Sequence, residues 1–423
     1  MRCVELFAGA GGLALGMARG GFRHEAVIER DHDSCETIRA NQRRGVEPVR
    51  TWPLFESDVC TFDYSSLAER IDLVAGGPPC QPFSLGGKHQ GREDIRDMFP
   101  EAVRAVRELR PRAFVFENVK GLLRHTFTRY FQHILLQLEF PECPQRLGES
   151  WEDHQKRLQK VKTEGRYDGL KYNVVADLLN ACEFGVPQRR ERVFIVGFRA
   201  DVGVKWSFPQ PTHSRESLLR EMWVTGEYWE RHEVPRRARP RVPERLLPSV
   251  EVLKSSIDCL CLKPWQTVRD AIRGLPDPTS AKGKSIPNHV FNPGARPYAG
   301  HTGSFIDEPA KTLKAGDHGV PGGENMLAMP DGSVRYFTVR ESARLQTFPD
   351  DYVFQTSWTE SMRQIGNAVP VTLAEVVGAS VHKCLQQSEN PESTLREPKT
   401  RPYRVQRRGL RPSARKTPRV SSR

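Results

Sequence analysis

The chain of 423 residues lacks any run of about 18 consecutive apolar residues, the length that a membrane-spanning helix needs. Its N-terminus lacks the charged, apolar and small-residue regions of a signal peptide. The nine cysteines include no C-x-x-C pair, and "CLC" at Cys259–Cys261 has no second pair at zinc spacing. From these absences we expect a cytoplasmic protein with reduced cysteines, no structural metal and no membrane partner.

Acidic residues are absent from the most basic part of the sequence. From Arg401 to Arg423 there are eight arginines and one lysine, but no aspartate or glutamate. This segment supplies +9 of the net charge of +12, which leaves +3 for the rest of the chain. Such a composition is typical of a solvated, disordered tail, which we assign to residues 388–423. A tail of this kind adds nonspecific affinity for a polyanion such as nucleic acid.

Apolar runs of strand length alternate with helical patterns through the first 200 residues. The runs include "CVELFAG", "IDLVAGGPP", "RAFVFENV" and "ERVFIVGFR". This alternation predicts an α/β fold with a parallel sheet. Polar residues collect where the predicted strands end, and open α/β sheets bind their ligands at that edge. We therefore predict a large ligand-binding α/β domain over residues 1–200.

The composition changes after about residue 200 and becomes rich in proline, arginine, tryptophan and glycine. Stretches such as "PRRARPRVPERLLP" cannot form long helices, because each proline removes a hydrogen-bond donor and clashes with the preceding turn. We expect a separate, smaller and irregular domain over residues 201–350.

A glycine-rich turn and two acidic strand ends predict a nucleoside site. "FAGAGG" at Phe7–Gly12 follows the first strand, where glycines let the backbone approach a ligand closely. Glu29 ends the next predicted strand and would accept ribose hydroxyls, and Asp58 ends a third and would accept from an adenine amino group. Each feature alone is typical of an ordinary turn. Together, in this order, they favour an adenosyl group over a pyrophosphate.

The stretch "GGPPCQPFS" at 76–84 restrains the backbone on both sides of Cys80. A buried structural cysteine is the commoner state of such a residue. A thiolate held at a fixed angle in an electropositive site would instead act as a nucleophile. The segment "LGGKHQGRED" that follows is predicted to be a mobile loop over the site.

Two further segments offer charged side chains at strand ends. "FENV" places Glu117 and Asn118 at the end of an apolar strand, where a carboxylate needs partners. "PQRRERVFIVG" places Arg190 and Arg192 two residues apart, on one face if the strand has begun there. Arginines in this position orient a carboxylate or phosphate, or are ordinary surface residues that lead into a strand.

Six sequence blocks, taken together, resemble the cytosine-5 DNA methyltransferase family of bacterial restriction–modification systems. They bracket residues 4 to about 380 in the family's order: "FAGAGG", "GGPPCQPFS", "ENV", "QRRER", "RESARLQTFP" and "GNAVP". The resemblance implies a Rossmann-like, S-adenosylmethionine-dependent catalytic domain over residues 1–200. It also implies a target-recognition domain over residues 201–350 and a C-terminal return to the catalytic domain over residues 351–387.

The resemblance also assigns roles to individual residues. Cys80 would be the nucleophile, and Glu117, Arg190 and Arg192 would hold the cytosine. The residues implied for the cofactor pocket are Phe7, Ala8, Gly9, Gly11, Gly12, Glu29, Asp58, Val59, Pro78, Phe99, Asn367 and Val369.

The implied reaction is methyl transfer to C5 of a flipped cytosine in a short sequence of double-stranded DNA, through a covalent adduct of the cysteine with C6. The enzyme would act as a monomer and protect host DNA from a cognate restriction endonuclease. Two alternatives are an RNA cytosine-5 methyltransferase and a DNA-binding relative without catalysis. The long basic and aromatic recognition region argues against the first, and the presence of Cys80, Glu117 and Arg192 argues against the second.

Overall fold

The computed structural model describes residues 1–67, 70–79, 97–255, 261–297, 302–315, 325–329 and 331–389. A seven-stranded sheet is the largest feature of this part of the chain. Its strands are β1 Arg2–Leu6, β2 Arg23–Glu29, β3 Leu54–Glu56, β4 Leu73–Gly76, β5 Ala113–Val119, β6 Tyr172–Asn180 and β7 Glu191–Arg199. The helices among them are α1 Gly12–Arg19, α2 His32–Arg43, α3 Phe99–Leu109, α4 Thr128–Glu139 and α5 Trp151–Glu164.

The strand order β3-β2-β1-β4-β5-β7-β6 places two strand ends at a topological switch point. From β1 the chain builds one half of the sheet through β2 and β3, and it then crosses to β4 on the other side of β1. Strand β7 runs antiparallel to β5 and β6, whereas β1 to β5 are parallel. Open α/β sheets bind ligands where the strand order reverses in this way. The predicted α/β fold is confirmed, and the predicted parallel sheet is parallel except for β7.

Helices cover both faces of the sheet because the central strands are apolar on both sides. All four residues of β4 are buried, as are the first six of β5, which is typical of strands sandwiched between helices. One face packs on α3 and α4, through residues that include Val4, Val74, Phe114, Val106 and Ile134. The other face packs on α1 and on a C-terminal helix, through residues that include Leu73, Val115, Leu13, Leu373 and Val377.

Short elements dominate the chain between β7 and Tyr336, as the composition predicts. They are β8 His213–Ser214, α6 Arg215–Arg220, α7 Glu227–Arg231, α8 Leu247–Ser255, β9 Lys263–Pro264, α9 Val268–Ile272, α10 Ala281–Lys284, β10 Ser304–Phe305, β11 Met326–Ala328 and β12 Val334–Tyr336. Strands β10, β11 and β12 form a small sheet, and β8 pairs with β9. A small hydrophobic cluster of Leu218, Met222, Tyr228 and Trp229 supplies a local core.

The C-terminal helices return to the large sheet. These helices are α11 Val339–Leu345, α12 Trp358–Asn367 and α13 Val371–Glu389. Leu345 and Phe348 share a core cluster with Ala10 and Leu15, so the return begins before residue 351. The domain boundaries themselves stay predictions.

One helical stretch among the described residues, Trp358–Glu389, has the length and composition of a membrane span. Within its most apolar window, 56% of the residues are buried inside the protein. The apolar side of α13 packs on α1 and the sheet, so the core accounts for this stretch.

Candidate functional site

The glycine-rich loop between β1 and α1 turns sharply at the carboxyl edge of the sheet. Phe7, Gly9 and Gly11 have φ angles of 54°, 52° and 79°, in the left-handed region that glycine adopts most easily. A phenylalanine in that region is uncommon, and strained backbone of this kind collects at ligand sites. A Cβ added at Gly9 would meet nothing within 4 Å, so open space borders the loop at this position.

The rest of the glycine-rich loop is held by contacts with other parts of the protein. Tyr352 donates its hydroxyl to the carbonyl of Ala10 over 2.7 Å. The amide of Ala8 donates to a carbonyl of β2 over 3.2 Å. A Cβ on Gly12 would lie 2.6 Å from the carbonyl oxygen of Val369, so only glycine fits there. The loop is therefore fixed on its inner side and open at Gly9.

Glu29 organises this edge through backbone hydrogen bonds. Its Oε2 accepts the amide of Gly9 over 2.7 Å, which joins the end of β2 to the glycine-rich loop. Its Oε1 accepts the amides of Arg30 and Asp31 over 2.9 and 2.8 Å. Three of the roughly four acceptor positions of a carboxylate are thus in use, which leaves room for a ligand hydroxyl.

Asp58 follows β3 and is held as a carboxylate. It accepts the amide of Cys60 over 2.9 Å, and its other oxygen lies 3.3 Å from Nη1 of Arg30. These hydrogen bonds, first that from Cys60 and then that from Arg30, lower the pKa of Asp58. The next residue, Val59, is buried in the same core cluster as Phe99, so both side chains make apolar packing contacts rather than polar ones.

The end of β4 brings the proline-rich segment against Glu117. A Cβ on Gly77 would lie 3.3 Å from Oε2 of Glu117, so the two strand ends are in close approach. Asn118 donates its side-chain amide to the carbonyl of Pro78 over 3.0 Å, in a buried hydrogen bond. Cys80, two residues after Pro78, lies outside the described residues.

Glu117 is buried beside one arginine of the "QRRER" block. On the antiparallel pair of β5 and β7, Arg192 lies opposite Val119 and is therefore a diagonal neighbour of Glu117. Nε of Arg192 lies 2.8 Å from Oε1 of Glu117. Burial raises the pKa of Glu117, while the charges of Arg192 and Arg190 oppose the rise.

Arg190 has partners different from those that the sequence predicts. Its side chain is fully buried and donates to the carbonyls of Leu313, Gly366 and Ala368 over 2.9, 2.6 and 2.9 Å. Strand β7 begins only at Glu191, so the alternation that would put both arginines on one face has not started at Arg190. The structure thus directs Arg190 toward the main chain, and Arg192 toward Glu117.

The turn after α12 completes the edge. Asn367 ends α12 and is exposed, and Val369 is buried against the start of α1. The turn therefore borders the glycine-rich loop, as the cofactor role predicted for these two residues requires.

Comparison with known proteins identifies the family. The family model for C-5 cytosine-specific DNA methylases matches residues 1–141 and 151–383. The chain belongs to the C-5 cytosine-specific DNA methylase family. The match is interrupted at residues 142–150, which lie between α4 and α5 of this methylase, and it ends at residue 383.

Curated relatives resemble the methylase over most of its length. The type II methyltransferase M.PspPI of Psychrobacter sp. (strain TA137) is 32% identical over 385 residues, which cover 90% of this chain and 79% of the relative. The type II methyltransferase M.NgoMIV of Neisseria gonorrhoeae is 31% identical over 387 residues, which cover 91% and 98%.

A solved structure shares the fold. It is a prophage-encoded protein of Escherichia coli described as a putative DNA modification methyltransferase, and it is 21% identical with a TM-score of 0.53. The similarity covers 91% of this chain and 99% of that chain. The fold predicted from the sequence, a methyltransferase sheet with a smaller second region, therefore agrees with a known structure.

The methylase uses S-adenosylmethionine as its methyl donor, and the described residues fit this molecule. The glycine-rich loop leaves open space at Gly9, as a bound nucleoside requires. Glu29 keeps an acceptor position for a ribose hydroxyl, and Asp58 is an ionised acceptor at the neighbouring strand end. The prediction of this cofactor is confirmed.

The structure brings most predicted site residues to one edge of the sheet, at the ends of β1 to β5. The residue assignments themselves stay predictions, and Cys80 lies outside the described part. Three residues that sequence reasoning missed, Gln188, Gln346 and Tyr352, are buried and join the separate blocks. The sequence feature that could have identified the two glutamines is a polar side chain inside a motif or apolar segment, as in "PQRR" and "RLQTF".

Proposed function

We propose that this methylase transfers a methyl group to C5 of a cytosine flipped out of a short sequence of double-stranded DNA, through a covalent bond between Cys80 and C6. The observation that carries the proposal is the buried Glu117–Arg192 pair, which adjoins the proline-rich segment two residues before Cys80. A buried acid and an arginine at 2.8 Å supply a proton donor and a fixed cation for a polar ring. The target carbon lies inside the base stack, so the base must leave the duplex at a cost of a few kcal/mol.

Each polar group has a step in this reaction. The thiolate of Cys80 attacks C6 while Glu117 donates its proton to N3, which makes C5 nucleophilic. Because burial raises the pKa of Glu117, more of it carries this proton near neutral pH than of an exposed glutamate. Arg192 fixes the carboxyl group and contacts the base. Bound S-adenosylmethionine supplies the electrophilic methyl group and is left as S-adenosylhomocysteine. Transfer of the C5 proton to water then lets the thiolate leave, and N3 returns its proton to Glu117.

Residues at different strand ends would contact different parts of the cofactor's nucleoside. The loop of Phe7, Ala8, Gly9, Gly11 and Gly12 would pass beside it, Glu29 would accept from the ribose, and Asp58 would accept from the adenine amino group. Val59 and Phe99 would form an apolar floor, Pro78 adjoins Cys80, and the turn of Asn367 and Val369 closes the far side. Arg190 reaches this site only through the main chain of that turn.

The biological setting follows from the relatives. M.PspPI and M.NgoMIV are named type II methyltransferases, which favours a restriction–modification role with a cognate endonuclease. We assign DNA reading to the region after β7, where arginines such as Arg215, Arg236, Arg237 and Arg241 are exposed. A cytoplasmic monomer that meets double-stranded DNA fits this role.

Bisulfite sequencing tests the proposal. Unmethylated DNA of mixed sequence is incubated with the protein and S-adenosylmethionine, beside Cys80→Ser and the control Cys384→Ser, which changes a half-buried thiol in α13. We expect protected cytosines within one short motif for wild type and Cys384→Ser, and none for Cys80→Ser. Protection that survives Cys80→Ser would contradict the covalent route. Protection of RNA but not of DNA would favour the RNA methyltransferase.

A further inference from the structure

Arg190 is buried at the junction of three segments that are far apart in the sequence. Nη1 donates to the Leu313 carbonyl, and Nη2 donates to the carbonyls of Gly366 and Ala368. Its side chain is inaccessible to solvent. A guanidinium is costly to bury, so three charge-assisted hydrogen bonds to the main chain indicate a fixed and specific placement.

Two buried glutamines also hold this turn. The Gln346 amide donates to the carbonyls of Ile365 and Ala368 over 2.7 and 3.1 Å. Gln188 donates to Oε1 of Gln346 over 3.1 Å and accepts the amide of Leu313 over 2.9 Å. The Ala368 carbonyl therefore receives donors from both Arg190 and Gln346.

The turn that receives these donors is wedged against the glycine-rich loop. A Cβ on Gly12 would lie 2.6 Å from the Val369 carbonyl and 3.1 Å from Cβ of Ala368. The same turn also packs closely on the segment after Leu313, because a Cβ on Gly366 would lie 2.4 Å from the amide of Ala315. Because the turn and the glycine-rich loop are in close van der Waals contact, a shift of the turn must also move that loop.

We propose that Arg190 is a positioning residue for the cofactor pocket, in which it fixes the Gly366–Ala368 turn, and Asn367 with it, against the glycine-rich loop. Arg192 alone of the two arginines engages the base. This division of roles rests on the proposed function, because it takes Asn367 and the loop as the cofactor's lining. The same guanidinium ties the turn to Leu313, so the cofactor pocket and a segment within the predicted recognition region share one anchor.

Binding of S-adenosylhomocysteine without DNA tests the proposal by calorimetry. We expect Arg190→Met to weaken binding by about tenfold or more, which corresponds to the loss of about one strong hydrogen bond. Arg190→Lys keeps the charge and one donor direction, and it should recover part of the affinity. The control is Arg189→Met at the exposed neighbour, which should change affinity less than about twofold. In steady-state assays the KM for S-adenosylmethionine should rise, while the KM for DNA stays within about twofold.

Gln346→Glu approaches the turn without changing Arg190. It keeps the size of the side chain but turns oxygen toward the carbonyls of Ile365 and Ala368, and it should give the same loss of S-adenosylhomocysteine affinity. Circular dichroism and melting curves establish which variants are folded. A folded Arg190→Met variant with wild-type affinity for S-adenosylhomocysteine and a raised KM for DNA would overturn the proposal. It would indicate instead that Arg190 contacts the cytosine. Wild-type protein that binds S-adenosylhomocysteine but leaves DNA unmethylated would instead contradict the proposed function.

Discussion

Arg192 and Glu117 meet at 2.8 Å because they are diagonal neighbours on two antiparallel strands. The contact uses Oε1 of Glu117, and the other oxygen, Oε2, is the one nearest to the position of a Cβ on Gly77. One carboxyl oxygen is therefore fixed by the arginine, and the other borders the segment that leads to Cys80. A base beside that segment would meet Oε2.

Replacement of Glu117 by glutamine should abolish proton donation and leave the cofactor pocket intact. Glutamine has the same shape but cannot transfer a proton to N3, and general acid catalysis contributes about 10²- to 10⁴-fold. We expect kcat to fall within that range and S-adenosylhomocysteine affinity to stay unchanged, measured by tritiated methyl transfer and calorimetry. Glu191→Gln, which alters a glutamate paired with Lys120, serves as the control. Full activity of Glu117→Gln would remove the acid from the mechanism.

The alkaline limb of the pH profile should depend on Arg192. Burial raises the pKa of Glu117, and the positive charge of Arg192 is the first of the opposing effects. In Arg192→Gln that opposition is lost, so the pKa of Glu117 rises further and its protonated form persists to higher pH. We expect the alkaline fall in kcat to move to higher pH, although the rate itself is lower. Arg192→Lys, which keeps a charge, should shift the limb less.

The two arginines also show where sequence reasoning ends. The residues at the ends of β1 to β5 could be predicted, because a strand is recognisable from its apolar run and its last residue then lies at the edge. The roles of Arg190 and Arg192 could not be distinguished from the sequence. The exact residue at which β7 begins decides whether the two side chains lie on the same face of the strand, and sequence patterns do not fix a strand boundary to one residue. The partners of Arg190 lie more than 120 residues away along the chain, as the bond to Leu313 shows.

The smaller region illustrates a second limit. Its prolines predict short and irregular elements, and the structure has strands of two and three residues there. An isolated bridge also pairs Ala310 with Gln188, between segments that carry no shared periodicity. Such pairings are set by tertiary packing, so a pattern in one segment alone cannot reveal them.

Asn118 should couple the stability of the proline-rich segment to catalysis. Its buried amide satisfies the Pro78 carbonyl, and an unsatisfied buried carbonyl costs about 1–3 kcal/mol. We expect Asn118→Ala to lower the free energy of unfolding in urea by that amount and to reduce kcat, because Cys80 lies two residues further on. Asn173→Ala, at an exposed position in β6, should change neither quantity. A loss of stability with unchanged kcat would show that the hydrogen bond supports the fold only.

The packing of α1 on α13 should distinguish two glycines that look equivalent in the sequence. A Cβ on Gly16 would lie 2.2 Å from Cβ of Ala374 and 2.7 Å from the Val371 carbonyl, and neither can move without shifting a helix. A Cβ on Gly378 would lie 3.0 Å from the sulfur of Met17, whose flexible side chain can adjust.

Gly16→Ala should therefore destabilise the protein by about 1–3 kcal/mol through overpacking, in spite of the better helix propensity of alanine. Gly378→Ala should cost less, because the higher helix propensity of alanine offsets its milder contact. Urea unfolding of both variants measures the difference. In the double variant Gly16→Ala with Ala374→Gly, the Cβ contact is gone but the contact with Val371 remains, so the stability should recover only in part. If Gly16→Ala and Gly378→Ala were equally stable, α1 and α13 would be able to move apart more easily than their close packing indicates.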